Sequence, residues 1–282
     1  MSASGPHKHI VVHGVGLIGG SVAAAVKRRW PACRVTGVGR RPERLQAAHA
    51  AGLLDDWSHT LREASVDYDA IVVVCLPVDL IALAVIEAAE ATPDGVLITD
   101  AGSVKQSVQN AIARSGAASA RFVGAHPIAG SEQSGFEYAD SELFVDRPCV
   151  VTASAAGAKF EQRCQDFWRS LGANVSVLDS QEHDRVLALT SHLPHVMAAV
   201  TTSCVEESDL KFAGTGFRDS TRVAAGDCEL WQQILCSNRT QLLDAIRKAE
   251  AGLAQFSTAL RNDDHISVAA ILDRAAQLRR AT

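Results

Sequence analysis

Histidines and arginines suited to handling protons and anions recur in short, turn-rich segments of this sequence. His126 lies in GAHPIAGSEQSG. His183, His192 and His195 share EHDRVLALTSHLPH, and Arg222 closes GFRDSTR beside Arg218 and Asp219. An imidazole titrates near neutrality, so it can take or give a proton. A guanidinium presents a planar fork of donors that pairs both oxygens of a carboxylate. TDAGSVK adds the hydroxyl of Ser103 and the ammonium of Lys105. Each segment also has a plain structural reading. His126 before a proline is a common loop residue, Lys105 reads as a surface residue at a helix start, and GFRDSTR as a surface salt-bridge cluster. His192 and His195 have an i, i+3 spacing that metal ligands can use, but no acid or cysteine completes a set at familiar spacing, so no metal is expected.

The second chemical signal is HIVVHGVGLIGGSVAAAV, from His9 to Val26. Gly14, Gly16 and Gly19 fit G-x-G-x-x-G between an apolar strand-like run and an alanine-rich helical stretch. Gly14 permits a tight turn, Gly16 lets a pyrophosphate approach the backbone, and Gly19 lets helix and strand pack closely. Leu17 and Ile18 open the helix, whose free N–H groups and partial positive charge face the anion. In this strand-turn-helix context the motif indicates dinucleotide binding. Leu76 and Pro77, closing AIVVVCLP at the end of a later strand, are further cofactor candidates. NAD-binding versions place an acid about 20 residues on, for the ribose 2′-hydroxyl. Here that stretch reads TGVGRRPERL, with Arg40 and Arg41 and no carboxylate at the turn. Two guanidiniums suit a 2′-phosphate, so NADP is favoured over NAD. The alternative is a solvated arginine loop with NAD still accepted.

These groups need a scaffold. HIVVHG, RVTGVGR, AIVVVCLP, GVLITDAG, RFVGAHP and CVVTAS are strand-like runs, and Ala/Leu/Glu-rich helical stretches separate most of them. That alternation indicates an α/β fold with a doubly wound parallel sheet, a Rossmann-type dinucleotide-binding domain over residues 1–179. A last apolar run, ANVSVLD, ends it. From residue 180 to 282 the pattern turns all-helical. Leu242, Ile246, Ala249, Leu253, Phe256 and Leu260 form an a/d seam that reads as either an internal core or a subunit interface.

The composition excludes several classes. A net charge of −5 lacks the basic footprint of a nucleic-acid binder. The start MSASGPHKH lacks the pattern of a signal peptide, and no apolar run approaches the ~20 residues of a membrane span. Seven cysteines, with no C-x-x-C, suggest reduced thiols and a cytoplasmic protein.

Taken together and in order, GVGLIGGS, TDAGSVK, GAHPIAGSEQSG, EHD, SHLPH and GFRDSTR resemble the prephenate/arogenate dehydrogenases of tyrosine biosynthesis, over residues 9–260. The resemblance implies oxidative decarboxylation of a cyclohexadienol with hydride transfer to NAD(P)+. It implies His126 as the catalytic histidine on the substrate hydroxyl and Ser103 as the bridge between His126 and the nicotinamide. Arg222 would bind a substrate carboxylate, with Glu132 and Asp219 as its paired acids. His195 and His183 would stand in the substrate domain, and Trp231 would be either a cleft aromatic or a core residue. The resemblance also implies a small-molecule substrate and a homodimer formed through the helical domain. The cues for prephenate and for arogenate conflict: His195 is retained, as in prephenate users, while GVGRR looks like NADP users that prefer arogenate. The rival readings are another NAD(P)-dependent two-domain hydroxyacid or imine dehydrogenase and, last, a non-enzymatic nucleotide-sensing module.

Overall fold

The computed structural model describes residues 7–130 and 133–281. Along the chain run β1 (His9–His13), α1 (Leu17–Arg29), β2 (Arg34–Val38), α2 (Pro42–Ala50), β3 (Asp56–Ser58), β4 (Ile71–Val74), α3 (Val78–Ala91) and β5 (Leu97–Asp100). Next come α4 (Gln106–Ile112), α5 (Gly116–Ser119), β6 (Phe122–Val123), β7 (Ala125–Pro127), β8 (Pro148–Thr152), α6 (Ala158–Ser170), β9 (Asn174–Leu178) and α7 (Ser180–Leu187). Helices α8 (Leu193–Ser203), α9 (Thr215–Thr221), α10 (Cys228–Ser237), α11 (Arg239–Arg261) and α12 (His265–Arg280) complete it.

The main sheet has six strands in the order β3-β2-β1-β4-β5-β6, and every pairing is parallel. Its strands are apolar on both faces because helices cover both. Ile10 and Val12 pack toward Phe167 and Trp168 of α6, while Val11 packs with Val72, Val74 and Ile81 on the α3 side. The connections reverse direction between β1 and β4, the switch point where this fold class binds nucleotides.

RFVGAHP reads as one strand in the sequence but makes two. It changes sheets at Gly124, where a Cβ would lie 2.6 Å from the Thr152 hydroxyl. Phe122 and Val123 finish the main sheet, and Ala125–Pro127 start a second sheet, β7-β8-β9, with β7 antiparallel to β8. The second sheet and the short β3 are absent from the sequence reading, since DWS carries no apolar run.

The chain divides into two compact units. The first holds residues 1–186 with 225–238, and the second 187–224 with 239–282. A division at residue 180 is what the loss of strand pattern suggests. The longer first unit follows from bonds that α7 and α10 make to it. Asp184 accepts the backbone N–H of Lys105 and Gln106, and Asn238 donates to the carbonyl of Asp184 at 2.8 Å. Ile234 is buried with the α3 side chains, and Trp231 packs half-buried on the same cluster.

The helical unit buries little by itself: Leu187, Ala188, Ala198, Leu242, Ala245 and Ala259 are its buried apolar residues. Residues Ala188–His192 form a π-helical turn directly before Pro194. Proline lacks the N–H that would bond to residue 190, and a widened turn accommodates that gap. Along α11 the a/d seam splits: Leu242 is buried, whereas Leu253 and Leu260 are both 59% exposed. Ile266, Leu272 and Leu278 of α12 are exposed as well.

Candidate active site

The glycine loop shows what each glycine is for. Gly14 sits at φ 100°, where L side chains are strained, and a Cβ there would meet the Cys75 carbonyl at 2.5 Å and Leu76 at 2.8 Å. A Cβ on Gly19 would lie 2.1 Å from the Gly14 carbonyl, so Gly19 is what lets α1 close on the loop. Gly16 is different: among the described residues nothing lies within 4 Å of its Cβ position, and its φ of −108° is ordinary. Gly16 is also the N-cap of α1, which has no side-chain cap and no acid in its first turn. An open, uncapped, uncrowded helix N-terminus is what a pyrophosphate requires. Leu17 and Ile18 are half-buried at its start, and Leu76 and Pro77 follow the neighbouring strand β4. Arg40 and Arg41 stand exposed just beyond β2 with no ion pair among the described residues. The loop thus fits a dinucleotide, and the end of β2 carries positive charge where an acid would select an unphosphorylated ribose.

A buried polar cluster occupies the carboxyl end of β5. Asp100 and Lys105 are both fully buried and form an ion pair. Lys105 Nζ also donates to the Ala125 carbonyl at 2.8 Å, while the Asp100 carboxylate accepts the N–H of Ala125 and of Gly102, each at 3.0 Å. Lys105 is therefore no surface residue. Two buried opposite charges are tolerated because nearby backbone groups satisfy them. Their bonds hold Ala125 by both backbone groups, and Ala125 immediately precedes His126.

His126 is buried at 8% exposure on β7. Its Nδ1 lies 2.9 Å from Nε2 of His183, and the rings meet edge to face with centroids 5.1 Å apart. Nδ1 of His183 lies 2.7 Å from Oδ1 of Asp184. The same Asp184 carboxylate accepts the Lys105 N–H at 2.9 Å and the Gln106 N–H at 3.0 Å, tying α7 to the start of α4. Burial holds the His183 pKa below its usual value against the opposing pull of Asp184, and Lys105 lowers it further. His183 is thus a neighbour of His126 within the first unit. Ser103 lies half-buried on the connection between β5 and α4. Asp184, Asp100 and the role of Lys105 are missing from the sequence reading, although EHD and TDAGSVK contain all three.

In the helical unit His195 is buried on α8, and burial lowers its pKa. His192 is buried in the π-helical turn. Asp219 lies on α9, and Arg222 begins the 3-10 turn that follows; both are exposed on this chain. Glu132 lies outside the described residues. Among the described residues no three histidine, cysteine, aspartate or glutamate side chains gather as metal ligands would.

A family model described as "Prephenate dehydrogenase, nucleotide-binding domain" matches residues 22–177, and one described as "Prephenate dehydrogenase, dimerization domain" matches residues 179–274. The chain belongs to the prephenate dehydrogenase family. It is an NAD(P)-dependent dehydrogenase of the prephenate/arogenate class. A cyclohexadienyl dehydrogenase of Zymomonas mobilis is 33% identical over 265 residues, covering 91% of this chain and 90% of that protein. The crystal structure of prephenate dehydrogenase from A. aeolicus, in complex with hydroxyphenyl propionate and NAD+, is similar with a TM-score of 0.90 at 26% identity, covering 99% of both chains. Synechocystis arogenate dehydrogenase matches with a TM-score of 0.82 at 26% identity, over 97% of this chain and 99% of that one. The nucleotide-binding match lies within the first compact unit, while the dimerization-domain match takes in most of the helical unit together with residues 225–238 of the first. No helix among the described residues is long and apolar enough to cross a membrane.

Proposed function

We propose that His126 is the proton acceptor of this dehydrogenase, that NADP is its preferred cofactor, and that Arg222 takes a substrate carboxylate. The substrate ring carries a hydroxyl and a hydrogen on C4 and a carboxylate on C1. A dinucleotide held at the Gly14–Gly19 loop would supply the acceptor for the hydride on C4. As that hydride leaves, His126 takes the hydroxyl proton and C4 becomes a carbonyl. Loss of CO₂ from C1 then leaves its electron pair in the ring. The C4 oxygen recovers the proton, and an aromatic phenol results. His126 must be neutral when hydride leaves, since only a bare ring nitrogen can take the hydroxyl proton. Ser103, on the loop that also carries Lys105, bridges His126 and the nicotinamide. Arg222 holds a carboxylate by paired N–H bonds, with Asp219 and Glu132 as its acids, and His195 is a further substrate-binding residue.

The observation that carries this reading is a buried histidine at the carboxyl side of the dinucleotide fold, hydrogen-bonded through Nδ1 in a chain of this family. The NADP preference is supported by Arg40 and Arg41 at the turn after β2, where no carboxylate repels a 2′-phosphate. A homodimer through the helical unit is supported by the exposed leucines of α11 and α12 and by the dimerization-domain match. A cytoplasmic location is supported by seven free thiols. One experiment tests the reading: kcat/KM for prephenate and for arogenate, each with NAD+ and with NADP+, followed by nicotinamide fluorescence. Turnover of either substrate, faster with NADP+, is expected. Faster turnover with NAD+ overturns the cofactor preference, and turnover of neither substrate overturns the whole reading.

A further inference from the structure

The carboxylate of Asp184 accepts three N–H groups: two from the backbone at residues 105 and 106, and the third from His183. A carboxylate can only accept in this arrangement, so His183 must carry its proton on Nδ1. A neutral His183 then presents a bare Nε2, and that atom faces Nδ1 of His126 at 2.9 Å. A hydrogen bond there requires the proton to sit on His126 Nδ1. The basic nitrogen of a neutral His126 is therefore Nε2.

We propose that Asp184 and His183 are positioning residues for the dehydrogenase reaction, fixing His126 in the Nδ1–H tautomer so that Nε2 receives the substrate proton. This rests on the reading of His126 as the base. The proton passes from the substrate hydroxyl to Nε2, and the resulting imidazolium keeps its Nδ1–H bond to His183. Asp184, beyond His183, carries the negative charge that stabilises it, and no proton needs to leave His126 until the phenol forms. Three features make the chain rigid. Asp184 is pinned by two backbone amides, His183 is fully buried, and the residue before His126 is held by the Asp100–Lys105 pair. The charged and titratable groups around His183 are Asp184, His126, Lys105 and Asp100. A negative partner behind a general-base histidine sets its tautomer and steadies its protonated form, and loss of such a partner costs catalysis out of proportion to structure.

The test uses the full chain labelled with ¹⁵N-histidine, with the His126 signals identified by their loss in His126→Asn. In the resting wild-type enzyme above pH 7.5, His126 is expected to show a protonated Nδ1 and an unprotonated Nε2. The opposite tautomer overturns the proposal without any variant. Kinetics give the second readout. Asp184→Asn keeps one of the two accepting oxygens but loses the charge, and His183→Phe removes the acceptor for His126. Each is expected to lower kcat roughly 10²–10³-fold with KM for both substrates within about threefold, because only proton transfer is affected. In His183→Phe the second His126 tautomer should also appear. If His126→Asn is impaired while both variants keep kcat within about threefold of wild type, the positioning role is wrong and the base assignment stands. If His126→Asn itself turns over normally, the base assignment fails.

Discussion

Gly16 and Gly19 make opposite demands, and exchanging each for alanine separates cofactor binding from folding. At Gly16 a methyl group meets nothing within 4 Å among the described residues. Its backbone, at φ −108° and ψ −151°, suits alanine. Two small terms then oppose each other in the stability of Gly16→Ala. Restricting the unfolded chain adds about 0.4–1 kcal/mol, and replacing a glycine N-cap by alanine removes about 1 kcal/mol. The net change is expected within about 1 kcal/mol of zero. If the pyrophosphate approaches through this open space, as proposed, the same methyl group should weaken dinucleotide binding roughly 10–100-fold, or about 1.4–2.7 kcal/mol. In Gly19→Ala the new atom falls 2.1 Å from the Gly14 carbonyl, a contact that needs backbone movement. Overpacking of this kind costs about 1–3 kcal/mol or more, and because the obstructing atom is backbone the upper end is expected. Urea denaturation of both variants, with Kd for NADP+ and NAD+ from fluorescence titration, provides the readout. A Gly16→Ala protein that binds both dinucleotides as tightly as wild type would refute the role given to that glycine. A Gly19→Ala protein of unchanged stability would refute the packing argument.

Three further outcomes are expected. Arg40→Asp should move the ratio of kcat/KM for NADP+ over NAD+ toward NAD+ by tenfold or more, and an unchanged ratio would place the 2′-phosphate elsewhere. Arg222→Ala should raise substrate KM by roughly 10–100-fold, about 1.5–3 kcal/mol for a charged hydrogen-bonded pair, with little change in cofactor Kd. An unchanged KM would remove Arg222 from the substrate site. His13, whose Nδ1 is buried without a hydrogen bond among the described residues, has its pKa lowered by burial from 6.5 to about 4. Between those values the unfolded chain binds a proton that the folded chain does not, so stability falls as pH drops below 6.5. His13→Leu should therefore lose less stability than wild type between pH 7.5 and pH 5, by on the order of 2 kcal/mol in urea denaturation. Parallel losses in the two proteins would show that His13 does not contribute.

Where a local rule decides the structure, the sequence was readable. Apart from β3, the strands of the six-stranded sheet are short apolar runs, and G-x-G-x-x-G between the first strand and first helix is legible because Gly14 and Gly19 answer steric needs of the turn itself. Lys105 could not be read that way. Its burial depends on Asp100, five residues earlier on β5, and on the Ala125 carbonyl, and only the fold brings these together. The same holds for Asp184. It looks like an ordinary acid on an exposed helix until α7 turns it onto the amides of residues 105 and 106. The switch of RFVGAHP between two sheets was hidden for a related reason. Its apolar pattern is continuous, and the break at Gly124 is set by Thr152 on another strand. The a/d seam of α11 announced burial but not its partner, since Leu242 is covered within the chain while Leu253 and Leu260 remain exposed.

The most direct measurement is turnover by His126→Asn alongside a cofactor titration of the same protein. A drop in kcat of roughly 10²–10⁴-fold, with Kd for NADP+ unchanged, is expected of a histidine that takes the substrate proton. Turnover close to wild type, under conditions where the variant is folded and binds its dinucleotide, would contradict it.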